Sequence, residues 1–145
     1  MVPCGKADRK RMVVAYDHGP RALEALKIGL YVSANCKLAL DIICVIHSQL
    51  FEGYNLSKHP GSLRRYINND ISLIRCRYLS VNIDTDIVHV IVKKGWPAST
   101  IVEHAFLRKA CVVIIGRCNG FKKSKALGLT TKLVLRQSLT SVLVV

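Results

Sequence analysis

Five short apolar runs, each followed by a segment with a different period, constrain this chain more than any other feature. The runs are 12–16 (MVVAY), 38–46 (LALDIICVI), 83–92 (IDTDIVHVIV), 111–115 (CVVII) and 142–145 (VLVV). Runs of this length, rich in β-branched residues and bounded by turn residues, read as strands. Four of the five are near-continuously apolar, whereas a strand with one solvated face would alternate. A strand apolar on both sides has to be covered on both faces, and that is the condition of a parallel sheet in an α/β domain.

The intervening segments supply the covers. After Asp17, His18, Gly19 and Pro20, the residues Leu23, Leu26 and Leu30 make a helical stripe that ends near Asn35. Residues 47–61 are polar and turn-rich, and 63–79 read as a second helix. Gly95, Trp96 and Pro97 break the third strand, and Pro97 suits a helix's first turn, where its missing N–H is not needed. Ala98, Ile101, Val102, Ala105 and Phe106 then recur at helical spacing. The last helix is expected over 130–139. The reading is one open, doubly wound, Rossmann-like α/β domain over 12–145: a five-stranded parallel sheet with helices on both faces, preceded by a basic tail, 1–11.

Composition agrees: half of the 145 residues are apolar and 21% are charged, which excludes a disordered chain. The six cysteines form no C-x-x-C and no cluster with histidine at metal-ligand spacing. Cys44 and Cys111 lie within apolar runs and are expected as buried, reduced thiols, implying a cytoplasmic protein. Cys118 differs, standing among cations that would lower a thiol pKa. No run reaches the ~18 apolar residues of a membrane helix, and no signal-peptide apolar stretch follows the basic start.

Ligands of such sheets bind beyond the carboxyl ends of the strands, where strand order reverses. Two loops there have suitable chemistry. Asp17, after the first strand, could accept hydrogen bonds from a ribose or a base, or could serve as an ordinary turn residue. The fourth strand, closing on Ile115, leads into Gly116, Asn119 and Gly120, then Lys122, Lys123 and Lys125. Gly128 precedes a helix that opens near Thr130 and Thr131. Glycines let backbone N–H groups approach an anion, and a helix N-terminus and lysines add to its attraction. Catalysis has no comparable signal, with no acid/base pair and no nucleophile motif. His89 reads as a packed or surface strand residue, and Trp96 as a packing anchor in preference to a base-stacking platform.

Taken in order, these pieces resemble the universal stress proteins. The resemblance rests on Met12-Val-Val-Ala-Tyr-Asp17, Ala22-Leu-Glu-Ala-Leu26, Gly95-Trp-Pro-Ala98, Val113-Ile-Ile-Gly116, Gly128, Val134-Leu-Arg136 and Val142-Leu-Val-Val145. It implies a homodimer formed through the last strand, 142–145, and a non-enzymatic role in a stress response. For the nucleotide-binding branch it implies ATP or AMP, with magnesium, held on a Gly-x2-Gly-x9-Gly-Ser/Thr loop. Matched residue by residue, Gly116, Gly120 and Gly128 fall on that loop, and Asp17 and Val45 on the ribose and adenine contacts. The match departs in three places. Three residues separate Gly116 from Gly120, seven separate Gly120 from Gly128, and Leu129 stands at the Ser/Thr position.

The net charge of +13 keeps a second function open, a nucleic-acid or polyanion binder of the same fold. The excess is not spread evenly. After Glu103 the chain has no acid, while Arg108, Lys109, Arg117, Lys122, Lys123, Lys125, Lys132 and Arg136 follow. An anion is therefore expected near the loop after the fourth strand.

Overall fold

The computed structural model describes residues 10–47, 60–78, 82–118 and 126–145. Strands and helices alternate: β1 (Arg11–Ala15), α1 (Pro20–Cys36), β2 (Ala39–Ile46), α2 (Pro60–Tyr78), β3 (Val88–Lys94), α3 (Pro97–Leu107), β4 (Val112–Ile115), α4 (Leu129–Gln137) and β5 (Ser141–Val144). The strands form one sheet of order β3-β2-β1-β4-β5, and every neighbouring pair is parallel. Helices lie on both faces, giving the Rossmann-like architecture expected from the continuous apolar runs.

Successive side chains of a strand point to opposite faces, and here both sets find a helix layer. On one face Met12, Val14, Leu40 and Ile42 pack with Leu26 and Leu30 of α1 and Ile67 and Ile74 of α2. On the other, Val13, Ile43 and Val113 pack with Ile101 and Ala105 of α3 and Val134 of α4. Val13 and Val14, neighbours in β1, are both completely buried. Gly29 lets α1 approach closely, because a Cβ there would lie 2.5 Å from a Val14 methyl.

The third strand differs from expectation at both ends. Ile83 and Ile87 are buried, yet they flank a turn rather than begin β3. Asp84 accepts the Asp86 N–H on Oδ1 at 2.9 Å and the Ile87 N–H on its carbonyl at 3.2 Å. An aspartate bonding the N–H two residues on makes a local turn, and two anchors either side of it imitate a strand's alternation. At the other end Lys93 and Lys94 extend the pairing, opposite Val45 and Ile46. The last helix ends two residues early because the Ser138 hydroxyl donates to the Thr140 carbonyl and accepts its N–H. Cys44 is buried as expected, and burial, then the nearby Asp17 charge, pushes its thiol pKa up to about 11. Cys111 is not buried: it is exposed, one residue before β4. His89 lies on β3 with its side chain exposed.

The two edges of the sheet are unlike. On β3, Arg64 of α2 donates to the Val90 carbonyl at 2.6 Å, and Lys94 is exposed. Such features discourage another strand from adding at an edge. β5 forms the opposite edge, with the Leu143 side chain exposed.

One ionic cluster lies inside this largely apolar frame. Asp41 of β2 has no exposed surface. Its Oδ1 accepts a hydrogen bond from Arg11 of β1, and its Oδ2 lies 2.9 Å from His104 Nε2 of α3 and 3.5 Å from Arg108 Nε. His104 Nδ1 stands 3.2 Å from the Lys93 ammonium. An ammonium can only donate, so Nδ1 accepts and Nε2 carries the proton given to Asp41. The cluster bolts α3 to β1 and β2 at a point where an unpaired carboxylate would be costly.

Burial alone would raise the Asp41 pKa. The hydrogen bond from His104, and then the charge and hydrogen bond of Arg11, outweigh it and hold the carboxyl below its ordinary 3.8. A depressed folded-state pKa means the ionised group stabilises the fold above the ordinary value, and that contribution is lost as pH falls through the lower folded value. Asp41→Asn is therefore expected to cost about 3 kcal/mol at neutral pH. Urea denaturation of both proteins between pH 5 and pH 2 checks this: the wild type should lose more stability than the variant across that interval.

Candidate functional site

β1 lies between β2 and β4 in the sheet, and the exits of β1 and β4 diverge. The chain leaving β1 enters α1 on one face, whereas the chain leaving β4 enters α4 on the other. Diverging connections open a crevice at the carboxyl ends. A cleft of about 620 Å³ lies there, bounded by the ends of β1, β2 and β4 and by the first turns of α3 and α4. That size is ordinary for a small-molecule site.

The middle of the cleft belongs to β1. Asp17 is exposed and lines it, with Oδ1 accepting the Gly19 N–H at 3.0 Å. Asp17 thus shapes the turn into α1 with one oxygen and keeps a carboxylate at the cleft. His18 takes a left-handed conformation, φ 65°, to make that turn. Tyr16, also in the lining, donates its hydroxyl to Asp70 Oδ2 at 2.5 Å, and His18 Nδ1 lies 3.7 Å from the same oxygen. Burial, then the Asp70 hydrogen bond and charge, pushes the Tyr16 pKa far up, so the phenol keeps its proton.

On the β4 side, Ile115 and Gly116 lead out of the sheet. A Cβ on Gly116 would sit 2.8 Å from the Arg21 carbonyl carbon and 3.0 Å from the Ala22 nitrogen, both rigid backbone. Only glycine lets β4 end against the first turn of α1. The Gly116 carbonyl accepts the Thr131 hydroxyl at 2.8 Å, and the Gly128 N–H donates to the Arg117 carbonyl at 2.7 Å. These bonds close the base of the loop and seat the start of α4. Gly128 is the N-cap of α4, and Leu129, Thr130 and Thr131 line the cleft from its first turn. First-turn N–H groups have no acceptor inside their own helix.

The β2–α3 side is largely apolar and aromatic. Val45 lines it from β2, His47 from just beyond that strand, and Trp96, Pro97, Ala98 and Ser99 from the start of α3. Trp96 is not the packing anchor expected from the sequence: its side chain is 61% exposed, at the rim. Its ring meets that of His47 edge to face, centroids 4.7 Å apart and planes at 85°.

The structure therefore brings Asp17, Val45, Ile115, Gly116, Thr130 and Thr131 to one cleft. Gly128 stands just behind it as the cap of α4, while Asn119, Gly120 and Lys122 lie outside the described residues. Sequence reasoning gave no site role to Tyr16 or His47, and ranked Trp96 as a packing anchor ahead of a base-stacking platform. The signal for Trp96 was present in its neighbours, a glycine and a proline that fix the backbone on either side. Among the described residues no group of three or more His, Cys, Asp or Glu could hold a metal ion, and no helix is long and apolar enough to cross a membrane.

Residues 8–145 match the sequence profile of the universal stress protein family. Solved structures agree. A universal stress protein from Lactobacillus plantarum superposes with a TM-score of 0.66 at 15% identity, over 94% of this chain and 97% of that one. A universal stress protein in complex with cAMP gives 0.68 at 19% identity, over 94% and 96%. One from Archaeoglobus fulgidus gives 0.64 at 25% identity, over 93% of this chain and 43% of that one. No curated protein sequence matches the chain.

Gly116→Ala should force β4 away from α1, an overpacking expected to cost about 2 kcal/mol. Thermal denaturation against the wild type measures it.

Proposed function

The chain belongs to the universal stress protein family, and on that footing we propose that its cleft binds an adenine nucleotide, ATP or AMP, as a regulatory rather than catalytic event. One observation carries the reading: three chemistries follow one another across the cleft in the order of the strands. An apolar, aromatic end lies at β2 and α3, a carboxylate stands at β1, and the first-turn N–H groups and Thr130 hydroxyl of α4 lie beside the end of β4. A base, a ribose and a phosphate meet those surfaces in the same order. Val45 would flank the base, Asp17 would accept from ribose hydroxyls, and the first turn of α4 would receive phosphate. The relative solved with cAMP supports a nucleotide in this fold.

Leu129 stands 73% exposed where a hydroxyl would serve phosphate, so this chain leans on Thr130 and on backbone N–H groups. Magnesium would arrive with the nucleotide's phosphates. A non-catalytic role fits what the cleft's groups do: Asp17 is engaged in the turn through Oδ1, and the Tyr16 hydroxyl is given to Asp70.

We further propose a homodimer through β5. Among the described residues no strand pairs with its outer edge, which carries Leu143, with Leu139 beside it 86% exposed, whereas the β3 edge is engaged by Arg64. The acid-free stretch after Glu103 supports a second reading, in which the same face holds a nucleic acid.

Calorimetry with ATP and magnesium, and with AMP, is expected to show one site per chain. Absence of heat at millimolar nucleotide would reject the proposal. Retention on immobilised DNA that weakens steeply with salt would favour the second reading. Sedimentation is expected to give twice the 16.1 kDa chain mass, falling to a monomer in Leu143→Arg.

A further inference from the structure

The rim of the cleft holds an unusual expenditure of apolar surface. Trp96 is the only tryptophan in the chain, and 61% of its side chain is exposed. A scattered exposed apolar residue needs no explanation. Trp96 differs because the backbone beneath it is held from both sides. Gly95 adopts φ 152°, and a Cβ on it would lie 2.7 Å from the Thr100 hydroxyl. The Gly95 N–H donates to the Ile46 carbonyl at 3.1 Å, and the Trp96 carbonyl accepts the Thr100 N–H at 3.0 Å and the Ser99 hydroxyl at 3.2 Å. Pro97 then fixes the next φ. Three hydrogen bonds and two fixed backbone angles set where an exposed ring leaves the backbone.

The ring stands beside Val45, Pro97 and Ala98, at an end of the cleft whose polar side chains are His47 and Ser99, the latter's hydroxyl given to the Trp96 carbonyl. With His47 it makes a right-angled corner. A flat ligand lying on the face of one ring presents its edge to the other. Such a corner suits a planar heteroaromatic group better than an alkyl chain, which has no flat face to stack. Every nucleobase has a π-face, and stacking on an aromatic side chain is worth a substantial share of binding.

We propose that Trp96, supported edge-to-face by His47, is the base-stacking and specificity-determining residue of the cleft. This rests on the nucleotide reading above and goes beyond it. It assigns the preference for a heteroaromatic group to the α3 side, while the β4–α4 side contributes affinity for phosphate of any attached group. Because Trp96 is an N-cap held by glycine and proline, the backbone beneath the platform is preorganised, and only the two side-chain torsions of the ring remain to be ordered on binding.

The test uses the intact chain with AMP as the probe. Titration of the wild type should quench tryptophan fluorescence, and the signal can come from no other residue, since the chain has one tryptophan. Trp96→Ala should weaken AMP binding about 5- to 150-fold by calorimetry. Trp96→Phe, which keeps an aromatic face, should stay within a few-fold of the wild type. Circular dichroism should show all three folded, because the side chain removed is mostly solvated. Wild-type binding of AMP with Trp96→Ala equally tight would overturn the stack and leave the nucleotide site standing. Equal losses in Trp96→Ala and Trp96→Phe would also overturn it, by showing that no aromatic face is needed. Failure of the wild type to bind AMP or ATP would overturn both proposals.

Discussion

Burial of the centre of β1 on both faces is the constraint from which the rest of the molecule follows. Val13 and Val14 are adjacent, point to opposite sides and are equally inaccessible to water. A strand in that position needs a helix layer above and another below. The chain meets this by sending α1 and α2 to one face and α3 and α4 to the other. The connections from β1 and β4, neighbours in the sheet, therefore have to part, and the cleft lies where they do. The pocket is thus a consequence of covering a two-sided sheet rather than a feature added to it.

Parted connections leave the helices of the second face in need of anchoring, and Asp41 supplies part of it. A carboxylate without solvent access is tolerable because each oxygen has a donor, Arg11 on one and His104 on the other. His104 is on α3, whose first turn begins at Pro97 and carries the apolar end of the cleft. The ionic cluster and the pocket therefore share a helix: what holds α3 to the sheet also holds Trp96 and Pro97 against β2. On the opposite side of the cleft, the same service is done without charge, by a glycine at the end of β4 and a buried hydroxyl on its carbonyl.

Much of this was legible in the residues. Strand and helix types, the parallel sheet and the two loops that meet at the cleft follow from periodicity and turn residues, because both report local backbone geometry. Asp17 and Gly116 were visible as turn residues at strand ends. The miss at β3 had the same local origin: a turn anchored by Asp84 places Ile83 and Ile87 inward at a spacing that a strand would also produce. Cys111 was misplaced because an apolar run does not say which of its residues lies just outside the paired segment.

By itself, then, the sequence determined the class of fold, because a run of residues apolar on both sides can be satisfied only by a sheet covered twice. It also determined where along the chain the ligand-facing loops fall, since these are the breaks after each strand. The tertiary structure alone decided which distant residues meet: Asp41 with His104, 63 positions apart, Thr131 with Gly116, and Trp96 with His47. It alone decided that the tryptophan faces solvent rather than the core. Those pairings depend on strand order and on the rotation of each helix about its axis, and no local pattern encodes either one.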